Sequence, residues 1–227
     1  MVYITGDMHG EQRLNDVIDF SKRNKDITSL IILGDFGGIW KINDLTIINE
    51  LSKLTIDILF IDGNHENFDL LNTYPIEDWN GGKVHKISHN IRHLIRGYVF
   101  NIEGNRYFAF GGAESKDKGK RREHISWWEQ EIASMEDIET AQHTLSQNKV
   151  VDYVITHVGQ MEIVQEMSRI SPRFQVDKQS VTVSQLLQNT KYYRWFFGHY
   201  HNDVDYITDD CKNYSCVYRR FIPIKEV

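Results

Sequence analysis

Five short clusters hold the residues best suited to chemistry: Asp7-Met8-His9-Gly10, Gly34-Asp35-Phe36-Gly37, Gly63-Asn64-His65-Glu66, Thr156-His157 and Gly198-His199-Tyr200-His201. Carboxylates and imidazoles together suit divalent transition metals such as manganese, iron, zinc or nickel. Two such cations about 3.5–4 Å apart need a shared ligand, and a carboxylate can bridge where an imidazole cannot. A pair of this kind can bind the attacking and departing oxygens of a phosphoryl displacement. It can also lower the pKa of a bridging water towards neutrality. A single Asp-x-His pair would carry little weight, because such pairs arise by chance. The weight lies in five clusters of one chemical type, each directly after an apolar run.

Those runs must position the clusters. Residues 2–5, 29–33 and 56–61 read as strands, with helices over 11–25, 44–53 and 67–73. In the first helix Leu14, Val17, Ile18 and Phe20 give the apolar spacing. Strands alternating with helices indicate βαβ units and a largely parallel sheet. Residues 83–110 read as an antiparallel meander, 113–122 as a polar, basic loop and 124–147 as helical. Strands at 151–155 and 194–197, a helix at 181–188 and a strand-rich tail over 204–224 complete the chain. In open α/β sheets the ligand crevice lies beyond the carboxyl ends of the strands, so clusters far apart in sequence can meet there. Glycine beside each cluster lets the backbone turn sharply after its strand. There is no flexible linker, repeat or low-complexity stretch, and a single domain over 1–227 is expected.

The ordered series D-x-H, G-D, G-N-H-[DE], a later His and G-H-x-H resembles the calcineurin-like metallophosphoesterase superfamily. Its five elements run from Asp7 to His201. Gly63-Asn64-His65-Glu66-Asn67-Phe68-Asp69-Leu70-Leu71 and Gly111-Gly112-Ala113-Glu114-Ser115 look like its small bacterial or phage-borne members. The resemblance implies an α/β fold, a four-layer αββα sandwich of two mixed β-sheets flanked by helices. It implies a first cation on Asp7, His9 and His201, a second on Asn64, His157 and His199, and Asp35 bridging both. Manganese is the favoured metal, with iron, zinc and nickel as alternatives. His65 would bind no metal; it would face the leaving-group oxygen and donate a proton to it. Two departures stand out. The common G-D-x-x-D-R motif reads Gly34-Asp35-Phe36-Gly37-Gly38-Ile39 here, without the second Asp and the Arg, which argues against a typical protein Ser/Thr phosphatase. The residues after His157 are Val158-Gly159, where the family often has proline.

The expected function is hydrolysis of a phosphoester, by a phosphodiesterase or phosphatase, with nucleotides among the candidate substrates. The alternative is a metal-binding scaffold or regulatory module without turnover. The formal charge of −6 argues against non-specific binding to nucleic acid or anionic membrane. No run reaches the length of a membrane span, and the opening residues lack a basic, then apolar, leader pattern. A soluble cytoplasmic protein is therefore expected. Cys211 and Cys216 read as reduced thiols near a hairpin.

Other residues carry weaker readings. His85, His89 and His93 read as surface or hairpin histidines. Trp127-Trp128 reads as a core or partner-facing pair in a helix. In the charged run 116–123, Arg121 or Arg122 could grip a phosphate in place of the missing motif Arg, with Arg96 a weaker candidate.

Overall fold

Val2–Thr5 forms strand β1, with every residue buried. A strand covered on both faces must be apolar along its length, and Val-Tyr-Ile-Thr meets that need with β-branched and aromatic residues. In helix α1 (Glu11–Arg23) Val17 is buried, and Leu14, Ile18 and Phe20 pack beside it. Strand β2 (Ser29–Ile32), helix α2 (Thr46–Leu51), strand β3 (Asp57–Phe60) and the one-turn helix α3 (Phe68–Leu71) continue the alternation. β1, β2 and β3 pair in parallel, so the clusters after them lie along one edge. The computed structural model describes residues 1–224. Among these, no helix is long and apolar enough to cross a membrane.

The stretch expected to be one meander is divided between two sheets. β4 (Ile76–Trp79), β5 (Gly82–Lys86) and β6 (Ile91–Leu94) are antiparallel neighbours at the end of the first sheet, and β6 also pairs in parallel with β3. After Gly97, at φ 87°, β7 (Tyr98–Ile102) and β8 (Asn105–Phe110) form a hairpin in the second sheet. Alternation and turn residues mark hairpins, but not the sheet each one joins.

Helix α4 (Met135–Gln147) begins well after residue 124, where Ser134 and Asp137 form a capping box. Ahead of it Trp128 is extended and buried, so the tryptophan pair does not lie in a helix. Strand β9 (Tyr153–Thr156) leads to α5 (Met161–Met167), a short helix not expected from the sequence. Then come α6 (Lys178–Leu187), β10 (Arg194–Phe197), β11 (Val204–Ile207), β12 (Asn213–Cys216) and β13 (Ile222–Pro223). Cys211 is exposed, Cys216 is buried and both are free thiols.

The first sheet runs β13-β1-β2-β3-β6-β5-β4 and the second β11-β12-β10-β9-β8-β7. The two-residue period of strands assigns the layers. Ile31, Leu59 and Ile61 meet Phe100, Tyr107, Ile155 and Phe196 between the sheets. Their chain neighbours Leu30, Ile32, Ile58 and Phe60 face the opposite side with Val17 of α1. On the far side Val154, Trp195 and Phe197 cluster with Val164 of α5 and Val183 of α6. The result is a four-layer αββα sandwich of two mixed sheets flanked by helices.

His85 and His93 overturn the surface reading. They face each other across β5 and β6, are both buried, and bring their Nδ1 atoms to 3.0 Å. His93 Nε2 donates to Asp62 Oδ1 at 3.1 Å, and Arg96 Nε donates to Asp62 Oδ2 at 2.9 Å. Of the three histidines only His89 is exposed. Period-four spacing in the sequence hides this, because the pairing is set by strand register. Arg96 is thus a buried ion-pair partner, not a phosphate contact. Replacing Asp62 with Ala leaves the buried Arg96 with only the partly exposed Asp137, at 3.5 Å, as its carboxylate partner and is expected to cost about 3 kcal/mol. Urea unfolding checks this: a loss below about 1 kcal/mol would show that water reaches Arg96.

Candidate metal centre

The clusters converge at the carboxyl ends of the strands. Asp7 follows β1, Asp35 follows β2, Asn64 and His65 follow β3, His157 follows β9, and His199 and His201 follow β10. Close strand-end packing explains two of the glycines. A Cβ on Gly63 would stand 2.1 Å from Asp35 Oδ1, and one on Gly198 would stand 2.3 Å from Asp7 Oδ1. Neither glycine has a positive φ. They are there to leave room for the carboxylate of another cluster, not to turn the chain. The turning falls on Gly10, Gly34 and Gly37, with φ between 58° and 92°, and on functional residues themselves: His9, Asp35, His199 and His201 have φ between 46° and 66°. Non-glycine residues in that region are strained, and such strain collects at functional sites.

One donor atom each from Asp7, His9, Asp35 and His201 lies within 4.8 Å of the others. His9 Nε2 is 2.9 Å from His201 Nε2 and 3.6 Å from Asp35 Oδ2, and His201 Nε2 is 3.1 Å from Asp7 Oδ2. Two ligands of one cation, each about 2.1 Å from it, stand no more than about 4.2 Å apart, and these pairs fall inside that limit. Tyr218 stacks on the His201 ring at 4.5 Å and supports its position.

The other side of Asp35 meets a second set. His157 Nδ1 donates to the Leu33 carbonyl at 2.6 Å, which points Nε2 inwards. That atom is 3.3 Å from Asn64 Oδ1 and 3.4 Å from Asp35 Oδ1. Asn64 Nδ2 donates to Ser115 Oγ at 3.1 Å, which turns the amide oxygen towards His157. The His199 ring packs edge-on against His157 at 5.1 Å, and its backbone N–H donates to Asp7 Oδ1 at 3.0 Å. Asp35 therefore offers Oδ2 to one set and Oδ1 to the other, with Oδ1 also accepting from the His65 backbone N–H at 2.8 Å.

Burial alone would raise both carboxyls, but the surrounding imidazoles prevail. His157 and His65 hold Asp35 well below the usual carboxylate range, and His201 and His157 hold Asp7 down. Burial and then the His157 charge push His199 down to about 4. Burial lowers His65, with Asp35 opposing and the Arg121 charge assisting. The carboxylates are thus ionised and His199 is a neutral donor at neutral pH, as cation binding requires.

Arg121 lies against His65, with Nη1 3.2 Å from Nδ1 and Nη2 3.5 Å from Nε2, and it lines the cleft over the centre. Arg122 is exposed and lines no part of that cleft. Two supporting residues escaped sequence reasoning. Ser115 orients Asn64 as described. Glu66, fully buried, accepts from the N–H groups of Phe36 at 2.7 Å and Gly37 at 3.2 Å, fixing the loop that presents Asp35. Both stand in motifs of the sequence, Glu66 directly after His65 and Ser115 at the end of Gly111-Gly112-Ala113-Glu114-Ser115, but neither motif by itself gives the residue's role.

A family model described as calcineurin-like phosphoesterase matches residues 1–203. The chain belongs to the calcineurin-like phosphoesterase family. Membership implies a dinuclear divalent-metal centre, and Asp7, His9, Asp35 and His201 form a compact donor cluster there. No curated protein sequence matches the chain. Among solved structures, a dimetal phosphatase from Danio rerio is similar with TM-score 0.53 and 11% identity, over 96% of this chain and 87% of that one. A protein from Thermus thermophilus gives TM-score 0.54 and 11% identity over 96% and 89% of the two chains. A putative 5′-nucleotidase from Staphylococcus aureus gives 0.51 and 14%, over 96% of this chain and 48% of that one. At these identities the likeness is one of fold.

Proposed function

We propose that this calcineurin-like phosphoesterase hydrolyses a small phosphoester at a centre of two divalent cations, with manganese favoured. Asp7, His9 and His201 would hold one cation, Asn64, His157 and His199 the other, and Asp35 both. The observation that carries this reading is the two-sided placement of Asp35, with His9 at one oxygen and His157 at the other. When bound, the cation pair supplies positive charge for the phosphoryl oxygens and activates a water nucleophile.

The chain's own residues supply the rest. His65 has its backbone fixed by Asp35 and its ring beside His9 at 5.4 Å. It donates a proton to the departing oxygen. Free of substrate, burial and Arg121 keep its pKa low. The negative charge of a bound phosphoester counters both effects and favours the protonated donor. Arg121 contributes guanidinium N–H groups to the non-bridging phosphate oxygens.

The test is hydrolysis of p-nitrophenyl phosphate and bis-p-nitrophenyl phosphate with added manganese. Turnover of either substrate is expected, and the ratio of rates reads monoester against diester preference. Silence with manganese, iron, zinc and nickel across pH would instead favour a metal-binding scaffold. Nucleotide monoesters and cyclic nucleotides belong in the following screen, because their phosphates meet the same requirements.

A further inference from the structure

We propose that Lys116 and Arg173 form a second anion subsite in the cleft, and that the substrate is a phosphoester bearing a further phosphate away from the bond that breaks. This rests on the phosphoesterase reading above and names its substrate class.

The cleft measures about 360 Å³, within the range of about 300–1,000 Å³ usual for small-molecule sites. Asn64, His65, His199 and His201 line it together with Lys116, Arg121 and Arg173. Lys116 comes from the loop after β8 and Arg173 from the segment between α5 and α6. Two unrelated parts of the chain thus bring cations to the mouth of one pocket, in a protein whose formal charge is −6.

The charges in the cleft do not cancel. Arg121 Nε is paired with Asp117 Oδ1 at 2.8 Å, and Glu114 is paired with Lys178 at 3.1 Å. Asp177 acts on Lys116 from a distance, but its oxygens accept the N–H groups of Glu114 at 3.0 Å and Ser180 at 2.7 Å. Among the described residues, no carboxylate lies within ion-pair distance of the Lys116 ammonium or the Arg173 guanidinium. Two positive charges are therefore left over beside a centre that already supplies cations, His65 and Arg121 to one phosphoryl group. A second phosphate is the group that uses them. Guanidinium suits two phosphate oxygens at once, and the Lys116 ammonium adds a point charge.

Manganese-loaded protein hydrolysing p-nitrophenyl phosphate provides the assay. Two matched pairs of competing phosphates are added: AMP with ADP, and fructose 6-phosphate with fructose 1,6-bisphosphate. At least one doubly phosphorylated member is expected to compete about tenfold or more better than its partner. Lys116→Ala with Arg173→Ala removes that advantage and leaves kcat/KM for p-nitrophenyl phosphate within about twofold. Arg173→Lys retains part of it. Raising the salt concentration shrinks it in the unaltered protein, because these side chains are exposed. Equal competition within both pairs, or an equal loss on p-nitrophenyl phosphate in the double variant, overturns the subsite while hydrolysis itself stands. No manganese-dependent hydrolysis of any substrate overturns the phosphoesterase reading, and the subsite falls with it.

Discussion

Asp35→Asn is expected to lower manganese-dependent hydrolysis about a thousandfold and to reduce the bound metal from two ions per chain. The substitution keeps the size of the side chain but removes the charge, and an amide bridges two cations poorly. Asp35 is buried and set between His9 and His157, so no neighbouring water can replace its bridging oxygens cheaply. Loss of a bridge that orders both cations removes several kcal/mol of transition-state stabilisation, and about 4 kcal/mol corresponds to three decades in rate. Asn can still accept the His65 N–H bond, so the fold should survive; a near-normal thermal midpoint checks that. Metal content by elemental analysis, run beside the rate, separates a lost ion from a misplaced one. Rates within tenfold of the parent, with two ions still bound, would mean that Asp35 is not the shared ligand.

His65→Ala is expected to act differently. Metal content should stay at two, because His65 lies beside the donor set and not within it. Removing a positioned proton donor costs about 10²–10⁴ in kcat. The size should depend on the leaving group: p-nitrophenolate departs with little help, so its loss falls at the low end. An alkyl phosphate such as AMP, whose alkoxide needs the proton, falls at the high end. The neighbouring Arg121 complicates a single substitution, since its Nη atoms contact both ring nitrogens of His65. Arg121→Ala should therefore raise KM for every phosphate substrate and leave the leaving-group dependence in place. A uniform loss for His65→Ala, regardless of leaving group, would instead give the imidazole a role in charge stabilisation or packing.

Much of the centre was legible because strand order is written locally. Apolar runs of four to six residues, each ending in a polar cluster, located β1, β2, β3, β9 and β10 and placed the seven donor candidates at their ends. Features that depend on which strand lies next to which were not legible. Gly63 and Gly198 read as turn residues, yet each makes space for a carboxylate from another strand. His85 and His93 read as surface or hairpin residues; they do lie on the β5–β6 hairpin, but only the register of those strands brings their Nδ1 atoms together in the interior. Ser115 supports Asn64 from 51 positions away, a contact that no local pattern announces. The stretch before α4 misled because it runs into the helix without a glycine or proline to mark a break. The capping residues Ser134 and Asp137 set the true start.

The arrangement around Asp35 also explains the ionisation pattern. Buried carboxylates ordinarily resist charge, and here imidazoles on both sides overcome that resistance. One of these imidazoles is also fixed from behind: the Leu33 carbonyl accepts from His157 Nδ1 and so aims Nε2 at Asn64 and Asp35. Preparation of this kind is what a high-affinity cation site needs.

Anomalous diffraction from a manganese-soaked crystal reads the centre directly. Two peaks about 3.5–4 Å apart on either side of the Asp35 carboxylate are the expected result. A lone peak, or a pair on some other face of the sandwich, would contradict the paired site.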